Sequence, residues 1–120
     1  MTSLEKAKLI VTTLDEKKGR QLRLLDISRL STLGDYFVLV SAGSNTQARA
    51  LADEVEEQLL KQGSEDPRHI EGQQNGEWIL MDYGDVMVHI FLDEQRQFYD
   101  LEHLWSDAPQ VDISSWLKED

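Results

Sequence analysis

Few residues in this chain have a type that could do chemistry, and their spacing limits what each can do. Gly43-Ser44 stands at a strand-to-helix junction, where backbone N–H groups at a helix start can cradle phosphate. A Walker-type loop also needs a lysine after its second glycine, but Gly43 is followed by SNTQARA, and no GxGxxG occurs either. Nucleotidyl transfer needs paired carboxylates for two metals, usually Asp-x-Asp on a strand near such a turn. Asp82-Tyr-Gly-Asp85 has the wrong spacing, and strand alternation points Asp82 away from the turn residue Asp85. His69, Glu71 and His89 suit zinc or manganese by type. His69 and Glu71 would share a strand face, but nothing in the spacing brings His89 to them, so a hydrogen-bonded structural histidine is the expectation. No GxSxG elbow activates a serine, and zero cysteines exclude disulfides, thiol catalysis and Cys-ligated metal. These residues predict no catalytic group, no metal and no cofactor; a nucleotide-binding or nucleotidyltransferase-like enzyme stands as the alternative.

Composition narrows the partners. The 120 residues, 40% of them hydrophobic, suit one domain able to bury roughly two thirds of its unfolded surface. A net charge of -11 disfavours phosphate backbones and anionic lipid and favours a basic partner. No run of eighteen apolar residues is present, and MTSLEKAKLI resembles neither a secretory signal nor a transit peptide, so the expectation is a cytoplasmic protein with no membrane contact.

The elements that must position these residues follow from periodicity. Thr2 or Ser3 can cap a first helix whose Leu4, Ala7, Ile10, Val11 and Leu14 form one stripe, with Gly19 at its end. Gln21 to Ile27 is a predicted strand, and YFVLVSA, Tyr36 to Ala42, reads as a central strand covered on both faces. Ser44 and Gln47 resemble a capping box before a helix that turns Ala48, Leu51, Ala52, Val55 and Leu59 inward, with Gly63 at the exit. Arg68 to Glu71 is a short strand. Asp93 can cap a third helix holding Phe98, Tyr99, Leu101, Leu104 and Trp105. The segment from Asp107 has little core material, although Trp116 and Leu117 could dock.

Between them, EWILMDYGDVMVHIF, residues 77 to 91, predicts a hairpin turning at Gly84-Asp85, with position 78 opposite 91. Ile79, Met81, Tyr83, Val86, Val88 and Ile90 would share one apolar face. Trp78, Leu80, Asp82, Met87, His89 and Phe91 would share the other, which mixes aromatic anchors with polar handles as interface cores do. Partial exposure of that second face is the expectation, with Trp78 as its anchor and Asp82 and Asp85 as the leading polar contacts.

Three stretches, DYFVLVSAGSNTQARALADEV, HIEGQQNGEWILMDYGDVMVHIF and RQFYDLEHLW, together resemble the ribosomal silencing factor family, also called Iojap-like. The resemblance covers roughly Leu4 to Ser106 and implies a domain of residues 1–106 followed by a tail of 107–120. It implies an α/β single domain, a mixed sheet packed with helices, similar to the nucleotidyltransferase fold without its catalytic carboxylates. It also implies a binder that meets the large ribosomal subunit at ribosomal protein fourteen, blocks joining of the small subunit under nutrient limitation, and pairs as a homodimer when free. No direct sequence-specific nucleic acid contact is implied. By position, Trp78, Asp82, Tyr83, Gly84 and Asp85 match the family's hairpin motif, and Tyr99, Leu101, Glu102, Leu104 and Trp105 its helix motif; His89 joins them from the hairpin's mixed face. Asp35 and Tyr36 match the motif before the central strand.

Overall fold

The structure, a computed structural model, describes residues 1–118; Glu119 and Asp120, the end of the tail, lie outside the described residues. Helix α1 (Ser3–Glu16) starts with a full capping box, in which the Thr2 hydroxyl accepts from the Glu5 N–H and the Glu5 carboxylate accepts from the Thr2 N–H. Its stripe of Ala7, Ile10, Val11 and Leu14 is fully buried, whereas Leu4 is exposed. Strand β1 (Arg20–Asp26) opens on a bulge between Arg20 and Arg23, with Gln21 at φ 53°. Strand β2 (Tyr36–Ala42) is buried along almost its whole length.

Helix α2 (Asn45–Gly63) carries half of the expected capping box. The Ser44 hydroxyl accepts from the Gln47 N–H, but the Gln47 side chain reaches back to the N–H of Gly43. Its whole predicted apolar face is buried. The left-handed residue at its exit is Ser64, one past the predicted Gly63.

Strands β3 (His69–Glu71), β4 (Trp78–Asp82) and β5 (Val86–Leu92) complete a mixed five-stranded sheet in the order β1-β2-β5-β4-β3. Among the described residues only β2 and β5 pair in parallel, so the chain must cross over between them, and it does so through α2 before adding β3 and β4. The hairpin register is the predicted one: Trp78 lies opposite Phe91, and the Tyr83 N–H donates to the Val86 carbonyl across a two-residue turn. Gly84 takes φ 88° there, open to glycine at no steric cost. Gly72 is needed for space, since a Cβ would run into the Trp78 carbonyl.

Helices α1 and α2 cover one face of the sheet and bury Leu24, Val38, Val40, Ile79, Met81, Val86, Val88 and Ile90. The opposite face holds a second, smaller cluster of Leu25, Ile27, Phe37, Leu39 and Phe91. It is roofed by α3 (Asp93–Tyr99) and α4 (Leu101–Leu104). The predicted third helix is therefore two pieces. Asp100 between them sits at φ 48°, which stops helical propagation, and α3 has Leu92 as N-cap while Asp93 falls in its first turn.

The segment after Asp107 belongs to the core more than its composition suggests. Val111 N–H donates to the Leu24 carbonyl and Asp26 N–H to that of Pro109, extending the sheet beyond β1 and burying Ala108 and Ile113. Trp116 and Leu117 pack against the larger cluster, with Lys8 over the Trp116 ring.

Candidate functional site

The face under α3 and α4 is built from β5 outward. Successive residues of a strand alternate sides, so Met87, His89 and Phe91 point away from α1 and α2, and their cross-strand partners Asp82, Leu80 and Trp78 do the same. The roof divides them. Phe91 is fully buried and His89 5% exposed, whereas Trp78, Leu80, Asp82 and Met87 remain half-buried. Phe91, expected to be partly exposed, is thus a core residue: Trp78 stacks on it at 4.9 Å between ring centroids, and Tyr99 of α3 closes on Trp78 at 4.6 Å.

His89 is positioned by its neighbours. The Trp78 Nε1–H donates to His89 Nδ1 at 3.2 Å, which places the imidazole's own hydrogen on Nε2. That Nε2 is buried without a partner, Phe37 stands edge-on to the ring at 4.8 Å, and burial pushes the imidazole's pKa down to about 4. His89 is a neutral polar insert in an aromatic cluster. It does not join His69 and Glu71, which pair with each other at 2.7 Å on exposed β3.

Around this centre the surface is apolar and wet. Trp105 follows α4 and lies edge-on to Phe37 at 5.0 Å, half-buried like Leu101. Leu104 is 72% exposed, Phe98 79% and Tyr99 48%. Trp78, Leu80, Met87, Tyr99, Leu101, Leu104 and Trp105 therefore belong to one side of the molecule, the side carrying the predicted hairpin and helix residues.

Four predicted site residues have other duties. Tyr83 is on the α1/α2 side of the sheet, 4% exposed, its hydroxyl buried without a partner and its pKa raised by that burial. Asp82 accepts the Gly84 N–H at 2.7 Å and so shapes its own turn. Asp85 binds Lys6 of α1 at 2.6 Å, and Glu65 binds the same ammonium at 2.7 Å, while the Asp85 carbonyl accepts from Asp35 and Tyr36. Lys6 is buried, which opposes its charge, but the hydrogen bonds it donates to Asp85 and Glu65, with the attraction of their charges, outweigh that and leave its pKa raised. Asp82 and Asp85 are thus held by separate internal partners. Glu102 accepts from Arg96 Nε at 2.9 Å.

Sequence reasoning did not single out Arg96 or the exposure of Phe98. Arg96 and Glu102 are six apart, a spacing that turns them to different sides of a continuous helix. Only the left-handed Asp100 brings them together, and no sequence period signals it.

Comparison with known proteins agrees with this architecture. Residues 1–120 match the family model described as ribosomal silencing factor during starvation. A ribosomal silencing factor of Halalkalibacterium halodurans is 37% identical, over 94% of this chain and 96% of that protein. One of Bacillus subtilis is 35% identical, over 93% and 94%. A crystal structure of a Chromobacterium violaceum protein superposes with a TM-score of 0.85 at 39% identity, covering 88% of each chain.

Proposed function

The chain belongs to the ribosomal silencing factor family, and from that premise we propose that it docks on the large ribosomal subunit through the side of the molecule that carries α3 and α4. It binds there at ribosomal protein fourteen and blocks the approach of the small subunit, lowering translation when nutrients are scarce. The observation that carries this reading is the apolar side formed by Phe98, Tyr99 and Leu104 next to half-buried Trp78, Met87 and Trp105. A protein this acidic gains nothing in water from three large apolar groups exposed on the two short helices α3 and α4, and such a patch marks a partner site. The polar frame of net charge -11 complements a basic partner and accelerates encounter with it.

The partner contacts expected from the family motifs then divide by accessibility. Trp78, Tyr99, Leu101, Leu104 and Trp105 touch the partner; Tyr83, Gly84, Asp85 and His89 hold the hairpin in shape; Asp82 and Glu102 stand at the margin. The protein acts as a binder rather than an enzyme, works in the cytoplasm, and in its free state covers part of the same face with a second copy. No helix among the described residues is long and apolar enough to cross a membrane.

Cosedimentation with separately purified subunits tests the reading. Selective pelleting with the large subunit is the expected result, reduced for Leu104→Glu; equal affinity for both subunits, or for neither, overturns it.

A further inference from the structure

Helix α4 carries Leu104 and leads into Trp105, yet it has little means of holding itself. It is four residues long, shorter than any helix stable alone in water, its N-cap Asp100 makes no side-chain capping bond, and none of its residues is buried. Two contacts fix it: the packing of Leu101 and Trp105 on the smaller cluster, and the ion pair from Glu102 to Arg96.

Arg96 differs from the other arginines in being buried, 8% exposed. Its Nε–H donates to Glu102 Oε1 and its Nη1–H to Ser41 Oγ, both at 2.9 Å. Ser41 is wholly buried near the end of β2 and in turn donates to Gln21 Oε1 at 3.4 Å. The planar guanidinium thus connects the end of β2, α3 and α4 through bonds of fixed geometry. A polar cleft of about 480 Å³, lined also by Arg20, Arg23 and Asp93, opens beside it and keeps Glu102 in contact with water.

We propose that Arg96 is a positioning residue that locks α4, and with it Leu104 and Trp105, in the orientation the docking face requires. The inference rests on the docking reading above and adds the device that preorganises it. Without the lock, α4 must be ordered at the moment of binding, and that ordering is subtracted from affinity. A lysine cannot replace the lock, because one ammonium on a flexible stem does not hold Ser41 and Glu102 in a fixed plane.

Two variants test it. Arg96→Met keeps the buried stem and removes the fork; Ser41→Ala removes the sheet end of the lock and touches no docking residue. Amide hydrogen exchange is read at Trp105 and Ala108, whose N–H groups donate to Leu101 and Trp105, against the amides of β2 and β5. Both variants should speed exchange at Trp105 and Ala108 by about tenfold or more while the strand amides keep the parent's protection. Both should weaken large-subunit binding by about tenfold, with Arg96→Lys between them and the parent. Parent-like exchange at Trp105 in both variants overturns the lock, as does loosened α4 with parent-like affinity. If Arg96→Met loses protection in the strands as well, Ser41→Ala alone decides between the same two outcomes. Failure of the parent itself to pellet with the large subunit sinks the docking reading, while the exchange measurement still decides the lock.

Discussion

His89 makes the stability of this fold depend on pH in a window set by burial. The imidazole titrates near 6.5 in the unfolded chain and near 4 in the fold, because its surroundings of Phe37, Trp78 and Phe91 desolvate the charged form. The folded pKa is the lower one, so between these values the unfolded chain binds the proton and the folded chain does not. The contribution is complete above pH 6.5, falls as pH drops, and is gone near pH 4. The full difference of about 2.5 units corresponds to about 3 kcal/mol, of which about 1.5 kcal/mol is lost by pH 5.5. His89→Gln removes the titration and keeps an acceptor for the Trp78 N–H. Urea unfolding of both proteins, followed by tryptophan fluorescence from pH 7.5 to 5.5, isolates the effect as the change in their stability difference. His69, His103 and the carboxylates are common to both and cancel. Staying at or above pH 5.5 also avoids the isoelectric region near 4.6, where association interferes. The gap between the two should shift by about 1.5 kcal/mol in favour of His89→Gln over this range. A gap constant with pH would refute the burial argument.

The other residues give sharper separations of interface from core. Leu104→Glu and Phe98→Ala, at exposed positions, should unfold within about 0.5 kcal/mol of the parent yet lose about 2 kcal/mol of large-subunit affinity; unchanged pelleting removes these residues from the interface. Trp78→Ala should lower stability by about 2 kcal/mol, less than the full cost of a buried tryptophan because the ring is half-buried, and should weaken binding as well; a parent-like melting curve contradicts its stack on Phe91. Lys6→Met should destabilise by about 2 kcal/mol, since it leaves Asp85 and Glu65 facing each other with no cation, and an unchanged urea midpoint would show that the triad contributes nothing.

Much of the fold was legible because its signals are local. The cap at the start of α1, placed at Thr2 or Ser3, the apolar stripe of α2 and the period-two alternation through Gly84-Asp85 each specify structure within a few residues and were read in the correct elements, whereas the reciprocal bond from Glu5 to Thr2 was not read and the box read at Ser44 and Gln47 is only half formed. What was missed has long range or no period. The apolar spacing from Phe98 to Trp105 continues smoothly through Asp100, so nothing in the pattern announces a left-handed residue there. Gly19 and Gly63 marked the right helix ends, but the left-handed positions fell to Lys18 and Ser64 beside them, a difference of one residue that composition cannot resolve. The partner of Asp85 is Lys6, far away in sequence, and the same remoteness conceals the bond from Arg96 to Ser41.

Why the hairpin's second face is half core and half surface follows from lengths. Five strands about 4.8 Å apart make a sheet about 19 Å wide, in which the four strands other than the three-residue β3 have five to seven residues and reach roughly 17 to 23 Å. On one side, α1 with 14 residues and α2 with 19 extend about 21 and 28 Å, enough to cover that area with two helices side by side. On the other side, α3 has seven residues and α4 four, or about 10 and 6 Å, and the turn at Asp100 keeps them from adding in line. Such a roof covers Phe91 and His89 at the middle and leaves half-buried Leu80, Asp82 and Met87 at its margin. An extended third helix would have buried the whole face and left no apolar site for a partner. On the docking reading proposed above, the break at Asp100 links fold to function: it shortens the roof, leaves Leu104 exposed, and places Glu102 where Arg96 can hold it.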